Sequence, residues 1–152
     1  MSSEKIFHIG LKAVILNGRQ EVLLLQVRHK QWKGKSNWWE LPGGRINQGE
    51  SEPQALQREL LEELGYQGEV ESVSLGAVIT DRDFSYDGVV IGLALIVVRC
   101  SCRDSLDVRL SDEHLSYEWV PIEEAKRRLR ETFHEDLVAL LDRACMLDAC
   151  PT

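Results

Sequence analysis

Within these 152 residues, the side chains best placed to do chemistry are Glu59, Glu62 and Glu63, in the run Arg58-Glu59-Leu60-Leu61-Glu62-Glu63-Leu64. On a helix the three carboxylates fall within an arc of about 100°, while Leu56, Leu60 and Leu64 form a separate apolar stripe. Arg58 lies one turn before Glu62 and can brace it. The arrangement works against local stability. Glu59 and Glu63 are like charges four residues apart, and Glu62 and Glu63 sit where the helix dipole disfavours anions by about 0.3–1 kcal/mol each. A hard divalent cation would compensate, because Mg²⁺ takes oxygen ligands and bridges carboxylates to phosphates. A merely solvated charged face is the alternative on the helix alone. Upstream, Gly43-Gly44 permits a tight turn whose backbone groups can approach a metal or an anion. Glu50 can pair with Arg58 or favour the helix N-terminus.

These residues need elements to position them. Ser51-Glu52-Pro53 reads as a helix start and Gly65 as its stop, predicting a helix over about 52–64. Ahead of it, the β-rich runs Ile6–Leu16 and Glu21–Val27 flank Asn17-Gly18 and are expected to pair as an antiparallel hairpin. Trp38–Leu41 reads as a short strand ended by Pro42-Gly43-Gly44. Beyond the helix, Val70–Thr80 and Val89–Val98 read as strands joined by an acidic, aromatic loop over 81–88, and Leu115–Val120 as another strand. From Pro121 onward Ile122, Ala125, Leu129, Leu137, Leu140, Leu141 and Ala144 recur at helical spacing, with a break near 132–134. No repeat or linker divides the chain, so one domain over 1–152 is expected, either α+β or a layered α/β/α sandwich.

The formal net charge is -7, which disfavours a long nucleic-acid track, since counterion release needs clustered Lys and Arg. The charge is unevenly spread: the stretch from Arg28 to Arg45 carries a net +4 and the remainder −11. Trp32, Trp38 and Trp39 are interleaved with those cations, and cations with aromatic faces suit a ligand that has phosphates and a base. The longest apolar run, Val89–Val98, is far short of the ~20 residues that span a bilayer. No signal-peptide pattern is visible, and a cytoplasmic protein with reduced thiols is expected. Neither the four cysteines nor the four histidines show zinc-type spacing.

Taken together, Gly44, Glu50 and the run Arg58-Glu59-Leu60-Leu61-Glu62-Glu63-Leu64-Gly65-Tyr66 resemble the signature of the Nudix hydrolases. That signature is a glycine, five residues, a glutamate, seven residues, then Arg-Glu-aliphatic-x-Glu-Glu-x-Gly-aliphatic. Every polar and glycine position is met, and the one departure is Tyr66 in the last aliphatic slot. Trp39-Glu40-Leu41-Pro42-Gly43 also resembles the family's usual lead-in. The resemblance implies an α/β/α sandwich with a mixed β-sheet, and hydrolysis of a nucleoside diphosphate linked to another group. It implies Mg²⁺ or Mn²⁺ held by Glu59, Glu62 and Glu63 with the Gly44 carbonyl, and support of that site by Glu50, Arg58 and Gly65. Either Glu62 or Glu113, in Ser111-Asp-Glu-His-Leu115, would serve as general base.

The expected substrate is a small nucleotide, foremost a nucleoside triphosphate cleaved to a monophosphate and pyrophosphate. Arg28, Lys33, Lys35 and Arg45 are the candidate phosphate contacts, with Trp39 and Tyr86 as candidate base contacts. The alternatives are ADP-ribose, nucleotide-sugar or diadenosine polyphosphate hydrolysis; the absence of a proline between Pro53 and Pro121 weakens the ADP-ribose reading. A non-catalytic nucleotide-sensing domain would be expected to have lost carboxylates that are all present here. A membrane partner is not expected, and a homodimer is compatible with the family.

Overall fold

The computed structural model describes residues 4–28, 31–32, 34–102 and 106–148. β1 (Ile6–Ile15) and β2 (Glu21–Val27) do not form the expected antiparallel hairpin; they belong to different sheets. Only Leu16 and Val22 bridge them. The physical reason is burial: Gly10 to Ile15 and Val22 to Leu25 are buried on both faces, so each strand needs cover above and below. Asn17 makes the crossing, its Oδ1 accepting the N–H groups of Arg19 and Glu21, each at 2.9 Å.

β1 lies between β6 (Gly43–Arg45), to which it is antiparallel, and β8 (Val89–Cys102), to which it is parallel. β7 (Val70–Tyr86) completes this mixed four-stranded sheet beyond β8. β2 is the centre of a second sheet, flanked by β5 (Trp39–Glu40) and β9 (His114–Pro121). Two very short strands, β3 (Gln31–Trp32) and β4 (Lys35–Ser36), pair within the basic segment.

The segment over 81–88, expected as a loop, is mostly strand. β7 continues to Tyr86, and the reversal is confined to Asp87-Gly88, both at positive φ (50° and 79°), as a tight two-residue hairpin turn requires. The register slips between Ile79 and Asp83, so Thr80 to Arg82 form a bulge on this strand.

Alternate residues of the central strands feed two cores. Leu11, Ala13, Ile15, Leu23 and Leu25 pack with Leu56, Leu60 and Leu64 of α1 (Glu52–Leu64). Val14, Val22 and Leu24 pack with residues of α2 (Ile122–Leu129) and α3 (Glu135–Asp148) on the other side. The result is an α/β/α sandwich. Among the described residues, no helix is long and apolar enough to cross a membrane.

α1 is closed at both ends. Ser51 Oγ accepts the Gln54 N–H at 3.3 Å while Gln54 Oε1 accepts the Ser51 N–H at 2.9 Å, a reciprocal cap. Gly65, at φ 71°, turns the chain off the helix while its N–H and that of Tyr66 reach back to Leu61 and Leu60. Leu56, Leu60 and Leu64 face the core while Glu59, Glu62 and Glu63 face the turn at Gly43-Gly44.

Candidate active site

The carboxylate face of α1 meets the end of β6 in a cleft of about 280 Å³. Glu59, Glu62, Glu63, Gly43, Gly44 and Glu113 all line it. Two of the helix carboxylates are deep, with Glu63 at 4% and Glu59 at 8% exposure; Glu62 remains exposed. Glu63 Oε1 accepts the Gly43 N–H at 2.6 Å. Its other oxygen lies 3.6 Å from His114 Nε2. Burial pushes the Glu63 carboxyl up to about 8, and nearby Glu40 and Glu59 add to this against the opposing charge of Lys12. Glu59 is raised for the same first reason, burial, partly offset by Arg58.

Gly44 is where side-chain absence matters. A Cβ there would lie 2.5 Å from Glu59 Oε1, so a larger residue would have to push this carboxylate aside; at Gly43, φ 141° and a Cβ position 1.9 Å from the Leu11 carbonyl oxygen require glycine outright. Buried carboxylates whose ionisation burial disfavours, set against a turn without side chains, fit a divalent cation, whose charge would offset the cost of ionising them.

Arg58 organises the outer side. Its Nε and Nη2 donate to the two oxygens of Glu50 at 2.6 and 2.9 Å, and Nη2 also donates to the Arg45 carbonyl at 2.9 Å. Its Nη1 donates to Glu59 at 2.8 Å and more weakly to Glu62 at 3.3 Å. Glu50 in turn accepts the Asn47 N–H at 2.7 Å. These bonds, led by the one to Arg58, hold the Glu50 carboxyl below its usual range, while pairing with Glu50 raises Arg58 further. Loop and helix are tied through one guanidinium.

Several residues at the site were not singled out from sequence. Lys12, buried in β1, donates to Glu40 Oε2 and to the Leu41 carbonyl, each at 3.2 Å. Glu40 Oε1 lies 2.8 Å from His114 Nε2. Burial would raise the Glu40 carboxyl, but the charge of Lys12 and the contact with His114 outweigh it and hold it low. Glu40, Glu63 and His114 present possible ligand atoms within 4.8 Å of one another. A buried lysine in an apolar strand was the available signal for this network: such a residue needs an anionic partner. Arg82 and Phe84 also line the cleft, which no pattern within a supposed loop could have shown.

The predicted substrate contacts are dispersed. Arg45 lines the cleft. Arg28 lies at its rim, its N–H donating to the Glu113 carbonyl at 3.0 Å, but it is not among the lining residues. Trp39 faces away: it packs on the core under α2, with the Arg128 guanidinium 4.7 Å from its ring, so the strand's alternation puts the other tryptophan at the site. Trp38 lines a narrow slot beside the cleft together with Phe133, Val78 and Ile79, and meets Phe133 edge-on at 5.9 Å. Lys33 lies outside the described residues, and Lys35 and Tyr86 are described through their backbone alone.

Buried carboxylates turned toward a glycine turn, with cations lining the same cleft, suit metal-assisted hydrolysis of an anionic substrate. The family model described as the NUDIX domain matches residues 6–141, and the chain belongs to the Nudix hydrolases, whose members use divalent metals. A MutT-like protein of Streptomyces ambofaciens is 26% identical over 143 residues, 94% of this chain and 82% of that one. A Bacillus subtilis protein named "Putative 8-oxo-dGTP diphosphatase" is 40% identical over 57 residues, which is 38% of this chain and 34% of the relative's length. Among solved structures, the MutT protein from Methanosarcina mazei Go1 superposes with a TM-score of 0.70 at 29% identity, covering 97% of this chain and 99% of that one.

Proposed function

We propose that this Nudix hydrolase is a nucleoside triphosphate pyrophosphohydrolase that works with Mg²⁺ or Mn²⁺ and releases a nucleoside monophosphate and pyrophosphate. The observation that carries the reading is that one cleft joins the acidic face of α1 to Lys12, Arg45 and Arg82. Oxygen donors for a divalent ion thus stand opposite cations suited to phosphates. The relatives named MutT and the Bacillus subtilis relative named for a triphosphate support the same class. The apolar slot at Trp38 and Phe133, contiguous with the cleft through Lys12, Glu40 and Arg82, is the place for the base.

In this reading Glu59, Glu62 and Glu63 hold the ion with the Gly44 carbonyl. When bound, the ion neutralises charge on the phosphoryl oxygens and lowers the pKa of an attacking water. Glu50 and Arg58 keep the loop and the helix in register, so the carboxylates do not splay apart under their mutual repulsion. The proton from water goes to a carboxylate that solvent can reach, and Glu62 and Glu113 are the two exposed ones at the cleft. The partner is a small nucleotide; the −11 charge outside the basic segment leaves no track for a polymer.

The test is a product-resolved screen of nucleoside triphosphates, ADP-ribose, nucleotide sugars and diadenosine polyphosphates with Mg²⁺. Triphosphates are expected to give monophosphate and pyrophosphate. Cleavage of ADP-ribose with triphosphates untouched would overturn the reading.

A further inference from the structure

The cations at the cleft mouth are not independent side chains. The guanidinium carbon of Arg45 lies 4.6 Å from the centre of the Phe84 ring and that of Arg82 lies 4.9 Å from it. Both arginines and the ring line the cleft that holds Glu59, Glu62 and Glu63. Two guanidiniums gathered on one ring repel each other. Arg82 is pushed below its ordinary range by burial, with the charge of Glu40 opposing the shift and that of Arg45 adding to it. The ring's quadrupole offsets part of that repulsion, and a polyanion that reaches both guanidiniums would gain charge-assisted hydrogen bonds from each.

The backbone is built to deliver Arg82 there. Arg82 belongs to the bulge in β7, where the register slips between Ile79 and Asp83. Thr80 pins that bulge: its hydroxyl donates to the Leu93 carbonyl at 2.9 Å and accepts the Arg82 N–H at 3.1 Å. Bulges re-aim a side chain that a regular strand would direct elsewhere. Arg45 comes from the other side of the sheet, at the end of β6, with its carbonyl held by Arg58 at 2.9 Å. Its Nη1 lies 2.9 Å from His8 Nδ1, and His8 stacks on Phe84 at 6.3 Å. The pair thus comes from the strands on either side of β1 and β8 and lines the same cleft as the carboxylates.

We propose that Arg45 and Arg82, gathered on the ring of Phe84, form an anion clamp for the terminal phosphate of the triphosphate substrate. The clamp rests on the triphosphate reading above. Two forked cations match the doubly charged end of a polyphosphate chain, and a substrate that ends in a sugar or a second nucleoside has no such group. Phe84 is a positioning residue: it does not touch the phosphate but keeps the two guanidiniums together.

The test compares the two products as ligands, measured by calorimetry with Mg²⁺ present. Pyrophosphate carries the terminal phosphate and the monophosphate does not. Arg82→Gln is expected to weaken pyrophosphate binding about tenfold or more while moving monophosphate binding less than about twofold. Phe84→Leu, which keeps both arginines, is expected to weaken pyrophosphate about threefold with the same selectivity. Arg82→Lys should recover only part of the loss, because an ammonium lacks the planar fork that stacks and binds bidentately. Equal weakening of both products, or no change in pyrophosphate binding, would overturn the clamp. A wild-type protein that cleaves no triphosphate would instead remove the reading on which the clamp rests, and the substrate screen reports that separately.

Discussion

The Glu63 carboxyl offers the sharpest thermodynamic test of the site. Its folded-state value is pushed up to about 8 from an ordinary 4.5, mainly by burial, with Lys12, Glu40, Glu59 and His114 around it. Below about pH 4.5 the carboxyl is protonated in both folded and unfolded chains and costs nothing. Between 4.5 and 8 the unfolded chain has released its proton while the fold retains it, so the fold binds more protons and stability falls as pH rises. Above 8 the loss levels off. At about 1.4 kcal/mol per pH unit, the full window is worth about 5 kcal/mol of metal-free stability, slightly less of it having been lost at pH 8 itself. Glu63→Gln removes the charge while its amide oxygen can still accept the Gly43 N–H. In urea unfolding without metal, the variant and the wild type should be about equal near pH 4.5, and the variant should be more stable by about 3–4 kcal/mol at pH 8. Adding Mg²⁺ should stabilise the wild type increasingly as pH rises, because the ion replaces the proton, and should leave the variant little changed. Parallel pH dependences of wild type and variant without metal would refute the argument, since the carboxylate would then ionise in the fold at no cost.

Other substitutions separate the remaining roles. Glu62→Gln and Glu113→Gln, assayed for turnover across pH, should single out the general base: its loss costs about 100-fold or more in kcat and removes the acidic limb of the profile, whereas loss of the other costs little through that limb. Gly44→Ala places a methyl 2.5 Å from Glu59 Oε1 and should displace that carboxylate, weakening Mg²⁺ binding about tenfold by calorimetry while costing less than about 1 kcal/mol in chemical unfolding. Arg58→Ala leaves Glu50 and Glu59 without their shared guanidinium and should lower stability by about 1–3 kcal/mol, most clearly at low salt. Leu60→Ala, at a fully buried position under the helix, should cost about 2–5 kcal/mol in unfolding free energy while the residual folded protein keeps its metal affinity.

Local chemistry was legible in the sequence where it is encoded locally. Ser51, Pro53 and Gly65 mark the ends of α1 at the residues where the helix begins and ends, because caps act on the nearest backbone groups. The spacing of Glu59, Glu62 and Glu63 places them at one cleft for the same reason. The hairpin at Asn17-Gly18 failed because a turn signal cannot say whether its strands are covered on both sides, and here burial decided against pairing. The loop over 81–88 failed differently. Its polar residues belong to a bulged edge strand, and the Asp87-Gly88 turn that marks its true end was present in the sequence but outweighed by composition. Trp39 and Trp38 exchanged roles because strand phase, which a two-residue strand barely constrains, decides which faces the slot.

What stayed hidden is the half of the site supplied by the sheets. Lys12, Glu40, Arg82 and His114 come from β1, β5, β7 and β9, and only the crossing of two sheets brings them within reach of α1. Their arrangement resolves the oddity of the helix. An anion-rich last turn is unfavourable alone, but Arg58 neutralises its outer edge, and Gly43 N–H with Lys12 behind Glu40 meets its inner edge. What remains uncompensated is concentrated in two carboxyls, Glu59 and Glu63, that hold protons more tightly than a carboxyl should. On the proposed metal role that residual deficit has a use: full neutralisation by protein cations would stabilise the fold and leave an ion nothing to gain by entering.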